Sequence, residues 1–278
     1  MKSIKFFLGL IMCAGILLTS CSDDDAPIEE PPVLLTKVSK DGITVMELKY
    51  DIDRKLTRVN YHSNGDLTFY DLIDYDPQGR PYEMQRYAVD PPNAGRKSVF
   101  TTDNFGRIIK SENYYNVDNF QNPQDEYVLS YDPSGRLESR FYASADNTSM
   151  SLTEFTYGEH NNPVQSKIII NPGEANEYVV AESDFTLQDK PLYSHWRNDV
   201  ILLGLSFVGF DDYVLEMFNV NTHWTTWNKD GNITSETETD ATEHQFNSNG
   251  YLIRQVLTRH NLFKQEPDLV REMTYEYK

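Results

Sequence analysis

Cysteine is almost absent from this 278-residue chain, which has two, Cys13 and Cys21. Cys13 lies in a stretch that reads as a cleaved leader, so the remaining chain has no thiol pair, no disulfide framework and no CxxC motif. Cations are scarce as well, with 25 Lys and Arg against 43 Asp and Glu and a formal charge of −18. That balance leaves no basic surface to neutralise a row of phosphates, which excludes nucleic acid as an expected partner. A glycine-rich phosphate loop and an HExxH helix are both missing. The six histidines never form a close ligand pair, and no acidic loop keeps the spacing of an EF-hand. No metal and no cofactor is therefore expected. "GLSFVG" at 204–209 sets Ser206 near a nucleophile elbow, but the second glycine falls one position late. No catalytic residue is assigned, and whether the chain is an enzyme stays open on the side of no.

Long apolar runs are confined to two places. Phe6 to Leu18, preceded by Lys2 and Lys5, is short for a membrane span of roughly 20 residues and reads as a secretory leader. "LTSC" at 18–21 closes it and resembles the bacterial lipoprotein cleavage site, at which Cys21 would be acylated and become the new N-terminus. Residues 1–20 are thus expected to be a signal peptide, 21–35 an acidic flexible tether and 36–278 a single domain. The acyl chains would hold the domain to a membrane without spanning it. Removing residues 1–20, with their two lysines, leaves 258 residues and takes the formal charge to −20. The "SDDD" after Cys21 resembles the acidic run that, in some Gram-negative gut bacteria, sends lipoproteins to the outer face of the outer membrane. The expected location is the outer membrane, lipid-anchored and exposed at the cell surface. The second apolar run, Val200 to Phe210, lies in a segment, 192–224, that has no turn signals. It is predicted to form an irregular or short helical insert near 192–222 that plugs the sheet interior.

What the chain does have is a repeated turn. "YHSNGDL" (61–67), "YDPQGRP" (75–81), "TDNFGRI" (102–108), "YDPSGRL" (131–137), "WNKDGNI" (227–233) and "FNSNGYL" (246–252) align on Gly65, Gly79, Gly106, Gly135, Gly231 and Gly250. "YDIDRKL", "YGEHNNP" and "FTLQDKP" keep the aromatic and replace the glycine. Asp, Pro and Gly in this order fit a type I turn whose last residue is left-handed, the usual three-residue hairpin loop. Asp132 and Arg136 then close the turn, while Tyr131 faces Leu137 on the other side of the sheet. The same rule puts Tyr61 with Leu67, Thr102 with Ile108, Trp227 with Ile233 and Phe246 with Leu252 on one buried side. About sixteen strands of ordinary length fit the chain. The prediction is an all-β fold: a large antiparallel meander curled into a single barrel-like sheet, with tight turns on one rim and longer polar loops on the other.

At "YDPSGRL" and "YDPQGRP" the chain resembles the YD repeats of Rhs-type shell proteins. As a whole, with its lipoprotein start and terminal "MTYEYK", it more closely resembles a family of uncharacterised Bacteroides-type lipoproteins with a porin-like fold. The resemblance implies a large antiparallel barrel and no particular activity. A membrane-spanning wall is not expected, because the facing rule sets Asp76, Arg80, Asp132 and Arg136 together with Glu138 on one face. One ligand platform is named, in "NTHWTTWN", where alternation sets His223, Thr225 and Trp227 on one face and Trp224 and Thr226 on the other. Three functions are carried forward. They are an envelope binding or structural module for a glycan or peptide, a surface polysaccharide hydrolase, and a YD-repeat-like shell or interaction protein.

Overall fold

The computed structural model of the chain describes residues 34–90, 93–115, 121–158, 163–186, 221–249, 251–264 and 266–278. The expected insert near 192–222, Cys21 and Gly250 therefore lie outside the described residues, apart from the stretch from 221 on, which is strand. Among the described residues there is no helix and there are sixteen strands. In chain order these are β1 (Leu35–Lys40), β2 (Ile43–Tyr50), β3 (Leu56–Ser63), β4 (Asp66–Tyr75), β5 (Pro81–Ala88), β6 (Asn93–Thr102), β7 (Ile108–Tyr114) and β8 (Asp125–Tyr131). The second half continues with β9 (Leu137–Ser144), β10 (Met150–Tyr157), β11 (Pro163–Ile170), β12 (Tyr178–Thr186), β13 (Asn221–Trp227), β14 (Ile233–Phe246), β15 (Leu252–Asn261) and β16 (Leu269–Tyr277). Each strand pairs antiparallel with the next, and β1 pairs with β16, so the sheet is a closed barrel with no free edge. The first strand begins at Leu35, one residue inside the stretch assigned to the tether.

The repeated turn sets the curvature. In seven hairpins, beginning at Tyr50, Tyr75, Thr102, Tyr131, Tyr157, Trp227 and Phe246, the leading residue pairs with the residue six places on. The residue before it then pairs one place further along than simple alternation allows, so the strand that follows each of these turns carries one extra residue: Thr57, Tyr82, Ile109, Glu138, Val164, Thr234 and Ile253. An extra residue on one strand bends it and increases its twist. Repeating that bend at every tight hairpin lets a long meander roll up and close.

The turn chemistry also joins one hairpin to the next. Asp132 Oδ1 accepts from the Arg136 N–H at 2.9 Å, and Oδ2 accepts from Arg136 Nε at 2.5 Å. Asp76 with Arg80 and Asp103 with Arg107 repeat this arrangement. The Arg107 guanidinium then lies 4.6 Å from the ring of Tyr131 in the following repeat, and Arg136 lies 4.7 Å from Tyr157. Each of these tyrosines donates its hydroxyl back to the preceding repeat, Tyr131 to the Ile108 carbonyl at 2.7 Å and Tyr157 to the Leu137 carbonyl at 2.8 Å. Tyr75 to Leu56 and Tyr277 to Leu252 complete the series.

The barrel has a terminal rim, where Leu34 and Lys278 exchange backbone hydrogen bonds, and an opposite loop rim. The turns at 51–55, 76–80, 103–107, 132–136 and 247–251 are on the terminal rim, whereas those at 64–65 and 228–232 are on the loop rim. The expected division into a tight-turn rim and a long-loop rim is thus incomplete. Two pairings also differ from expectation. Asn64 (φ 51°) and Gly65 (φ 88°) form a two-residue turn, so Tyr61 opposes Phe69, with ring centroids 4.7 Å apart, and Leu67 falls opposite His62. Trp227 does pair with Ile233, but Ile233 is 43 % exposed. The reason is chirality: a hairpin on the loop rim runs the other way along the barrel axis while the strands still step round in the same sense. The same handed turn therefore presents its aromatic outward there and inward on the terminal rim.

Buried apolar side chains from β1 to β8, β15 and β16, among them Leu35, Val59, Ile108 and Leu257, form one interior cluster. The outer face is different in kind. Lys97–Glu83 (3.5 Å), Lys110–Glu126 (2.9 Å), Arg254–Glu272 (2.8 Å) and Lys37–Glu276 (2.7 Å) are ion pairs on it. One outward row is apolar, Val128–Phe141–Leu152–Ile169–Val179 across β8 to β12. Two residues along the strands on one side the next outward row holds Glu154, Lys167 and Glu182, and on the other side Glu126 stands beside Ala143 and Met150, so the apolar band is about 7–14 Å tall at the usual rise per residue. A lipid-facing wall needs an apolar band of about 25 Å. The charged pairs and rows interrupt the described outer face well short of that height.

Candidate functional site

Running back along β8 from the turn, Tyr131, Leu129, Tyr127 and Asp125 share the interior face, so the strand changes from apolar to polar as it nears the loop rim. Register sets Asn113 and Ser144 beside Asp125, and Ser111 and Tyr142 beside Tyr127. Asp125 is 7 % exposed, and both its oxygens are used: Oδ1 accepts from Asn113 Nδ2 and Oδ2 from the Tyr115 hydroxyl, each at 2.5 Å. Asn113, fully buried, in turn accepts on Oδ1 from Ser98 Oγ at 2.6 Å. Arg96 lies 5.2 Å from the ring of Tyr115, Arg140 lies 5.5 Å from that of Tyr127, and the Tyr127 and Tyr142 rings are 5.2 Å apart. Burial pushes the hydroxyls of Tyr115, Tyr127 and Tyr142 above the usual tyrosine range, and for Tyr115 the bond to Asp125 adds to the effect. These tyrosines are neutral hydrogen-bonding rings at any physiological pH. Tyr115, 41 % exposed, opens the cluster to the loop rim.

A second buried charge lies further along the barrel wall. Asp71, fully buried, holds Arg86 through two bonds of 2.8 and 2.9 Å, and the Arg86 guanidinium covers the Phe69 ring at 4.5 Å. Asp71 and Asp125 are the buried carboxylates among the described residues, and each is already committed to a donor. No cluster of three His, Cys, Asp or Glu suited to a metal is found among the described residues.

The residues named from sequence are divided between the two faces. Trp224 pairs with Ser183 and Thr237, which are 1 % and 6 % exposed, and so lies on the interior face. His223 is on the outer face, its Nε2 3.0 Å from Glu236, and Trp227 shares that face two and four residues beyond Thr225 and His223 respectively. This is the alternation expected from sequence, with His223 and Trp227 on one face and Trp224 on the other. Gly79, Gly106, Gly135 and Gly231 have φ of 77–78° and belong to turns, away from both polar clusters. The Asp125 cluster was missed from sequence, although its signal is present: the alternation in "DEYVLSY", carried back from Tyr131, puts Asp125 and Tyr127 inside.

No known family model matches the chain, and no curated protein matches it. Among solved structures, a porin-like protein from Bacteroides uniformis is similar over 89 % of this chain and 98 % of its own, with 13 % identity and a TM-score of 0.54. A porin-like protein from Bacteroides vulgatus is similar over 88 % and 98 %, with 12 % identity and a TM-score of 0.48. The Photorhabdus luminescens Tc holotoxin pore gives a TM-score of 0.33, over 84 % of this chain and 13 % of that one. The first of these likenesses shows the fold, a porin-like closed barrel, and nothing about activity.

Proposed function

We propose that the chain is a lipid-anchored protein of the outer membrane, acylated at Cys21, whose barrel stands in water and acts as a binding module for a glycan or peptide. The observation that carries this reading is the inversion of polarity relative to a pore wall, with ion pairs outside and an apolar core giving way to tyrosines and arginines at the loop-rim end of the interior. Tyrosine rings with neighbouring amide and guanidinium donors offer stacking and directional hydrogen bonds together, which suits sugars and peptide backbones. The hydrolase reading is weaker, because a glycosidase needs two carboxylates free to exchange protons or attack, and Asp71 and Asp125 are both tied up. The shell reading turns on how the interior is filled by the 192–224 segment, of which the part before 221 lies outside the described residues.

Glycan and peptide arrays probed with the leaderless chain test the proposal. Binding is expected, and Tyr142→Ala is expected to abolish it while Trp227→Ala leaves it intact. Loss with Trp227→Ala or His223→Ala and retention with Tyr142→Ala would place the site on the outer face instead, and an empty result on both arrays would contradict a binding role.

A further inference from the structure

The two rims differ in charge and in what their turns expose. On the terminal rim the described turns 51–55, 76–80, 103–107 and 132–136 each hold as many cations as anions, and 247–251 holds neither. The described turns of the loop rim together hold eight carboxylates against two lysines. In a chain of formal charge −18, the neutrality of these described turns is a local exception.

The terminal rim also carries the two most exposed large apolar side chains of the described residues, Ile52 at 96 % and Phe105 at 84 %. Both sit at the tips of tight turns, beyond the last strand residues, and proline occupies the tips of the two companion turns, Pro77 and Pro133. The Arg107 guanidinium lies 5.1 Å from the Phe105 ring, so a cation stands directly behind an exposed aromatic. Exposed apolar tips, one of them backed by an arginine, match the layering of a bilayer surface, acyl chains below and phosphates above. The described chain starts at Leu34, which is bonded to Lys278 on this same rim, so any anchor upstream of it is fed to the barrel from this side.

We infer that the terminal rim is a membrane-docking surface: Ile52 and Phe105 dip into the interfacial layer of the bilayer, and the acidic loop rim, with the Asp125 cluster beneath it, points away. The inference rests on the reading of Cys21 as a lipid anchor. With the anchor supplying attachment, two shallow apolar contacts fix the orientation, which a flexible tether alone leaves free. The open end of the polar cluster is thereby presented to the surroundings.

Orientation can be read from the lipidated full-length chain in vesicles of phosphatidylethanolamine and phosphatidylglycerol. Once Cys21 is acylated and the leader with Cys13 is removed, the mature chain has no free thiol. A dye on Phe105→Cys or on Asp230→Cys, at the opposite rim, therefore reports one position at a time. Doxyl-labelled lipid is expected to quench the dye at 105 several-fold and shift its emission to the blue, and to leave the dye at 230 unchanged. Equal, weak quenching at both positions in a chain shown by intact mass to be acylated would overturn the docking surface while leaving the anchor standing. A chain whose mass shows no acyl groups would remove the anchor reading, and the docking surface with it.

Discussion

Single residues in the repeat have separable duties. Gly106 holds φ +78°, and a β-carbon there would meet Arg80 Cγ at 3.6 Å, an ordinary contact. Gly106→Ala should therefore show the backbone cost alone, about 1–2 kcal/mol for an L-residue held left-handed, read as a lower midpoint in urea. The turn aspartates are acid-labile supports. Asp76 and Asp132 are held below the usual carboxylate range chiefly by the N–H of Arg80 and of Arg136, and Asp103 is held low by its bonds from Arg107 and Phe105 in spite of burial. Asp146, on the loop rim, is lowered from 3.8 to about 2 by bonds from Ser144 and Thr148. Because the folded value lies below the unfolded one, its contribution is complete above 3.8 and is lost as the pH falls through about 2. Asp146→Asn should be less stable than the parent at neutral pH, and equilibrium unfolding across an acid series should show the gap closing within that window. A gap constant down to pH about 2 would contradict it.

At the scale of the hairpin, the link between repeats makes a sharper claim than the turn does. Tyr131→Phe keeps the ring against the core and removes the hydroxyl from the Ile108 carbonyl, which should cost about 1–2 kcal/mol. Tyr82→Phe, at a ring 45 % exposed, should change nothing measurable by the same unfolding assay. The hairpin also explains what the sequence made legible. Aromatic, turn and glycine spacing is local, so the strand count, the antiparallel meander and pairings such as Tyr131 with Leu137 could all be read from it. Which face turns inward is not local. It depends on the rim a hairpin occupies, and that is set by counting strands around the whole barrel, so "WNKDGNI" looked like its companions and faces the other way. Tyr61 was misread because Asn64 and Gly65 satisfy a two-residue turn, which moves its partner to Phe69. With Trp196 replaced by Phe, iodide should quench Trp227 more than Trp224 in single-tryptophan chains. The reverse order would mean that this part of the register is wrong.

At the scale of the whole molecule, shape and solvent have to be kept apart. Sixteen antiparallel strands in a closed barrel are the outline of a pore, yet the wall carries its charges on the outside and its apolar cluster within. Sequence reading expected charge on the outer face from four residues of the repeat, Asp76, Arg80, Asp132 and Arg136, which the fold places in the terminal-rim turns, while the charges of the wall are at other residues. It did not reach the Asp125 cluster, because that cluster is assembled by lateral pairing of β6 to β9, and register across separate hairpins is not visible in any one of them. The most direct test of a barrel that lives in water is the behaviour of the chain from Val33 to Lys278, without leader, Cys21 or tether. The account predicts a detergent-free, β-rich protein that sediments away from vesicles of phosphatidylethanolamine and phosphatidylglycerol and unfolds cooperatively in urea. A chain that precipitates without detergent and becomes protease-resistant by inserting into those vesicles would contradict it.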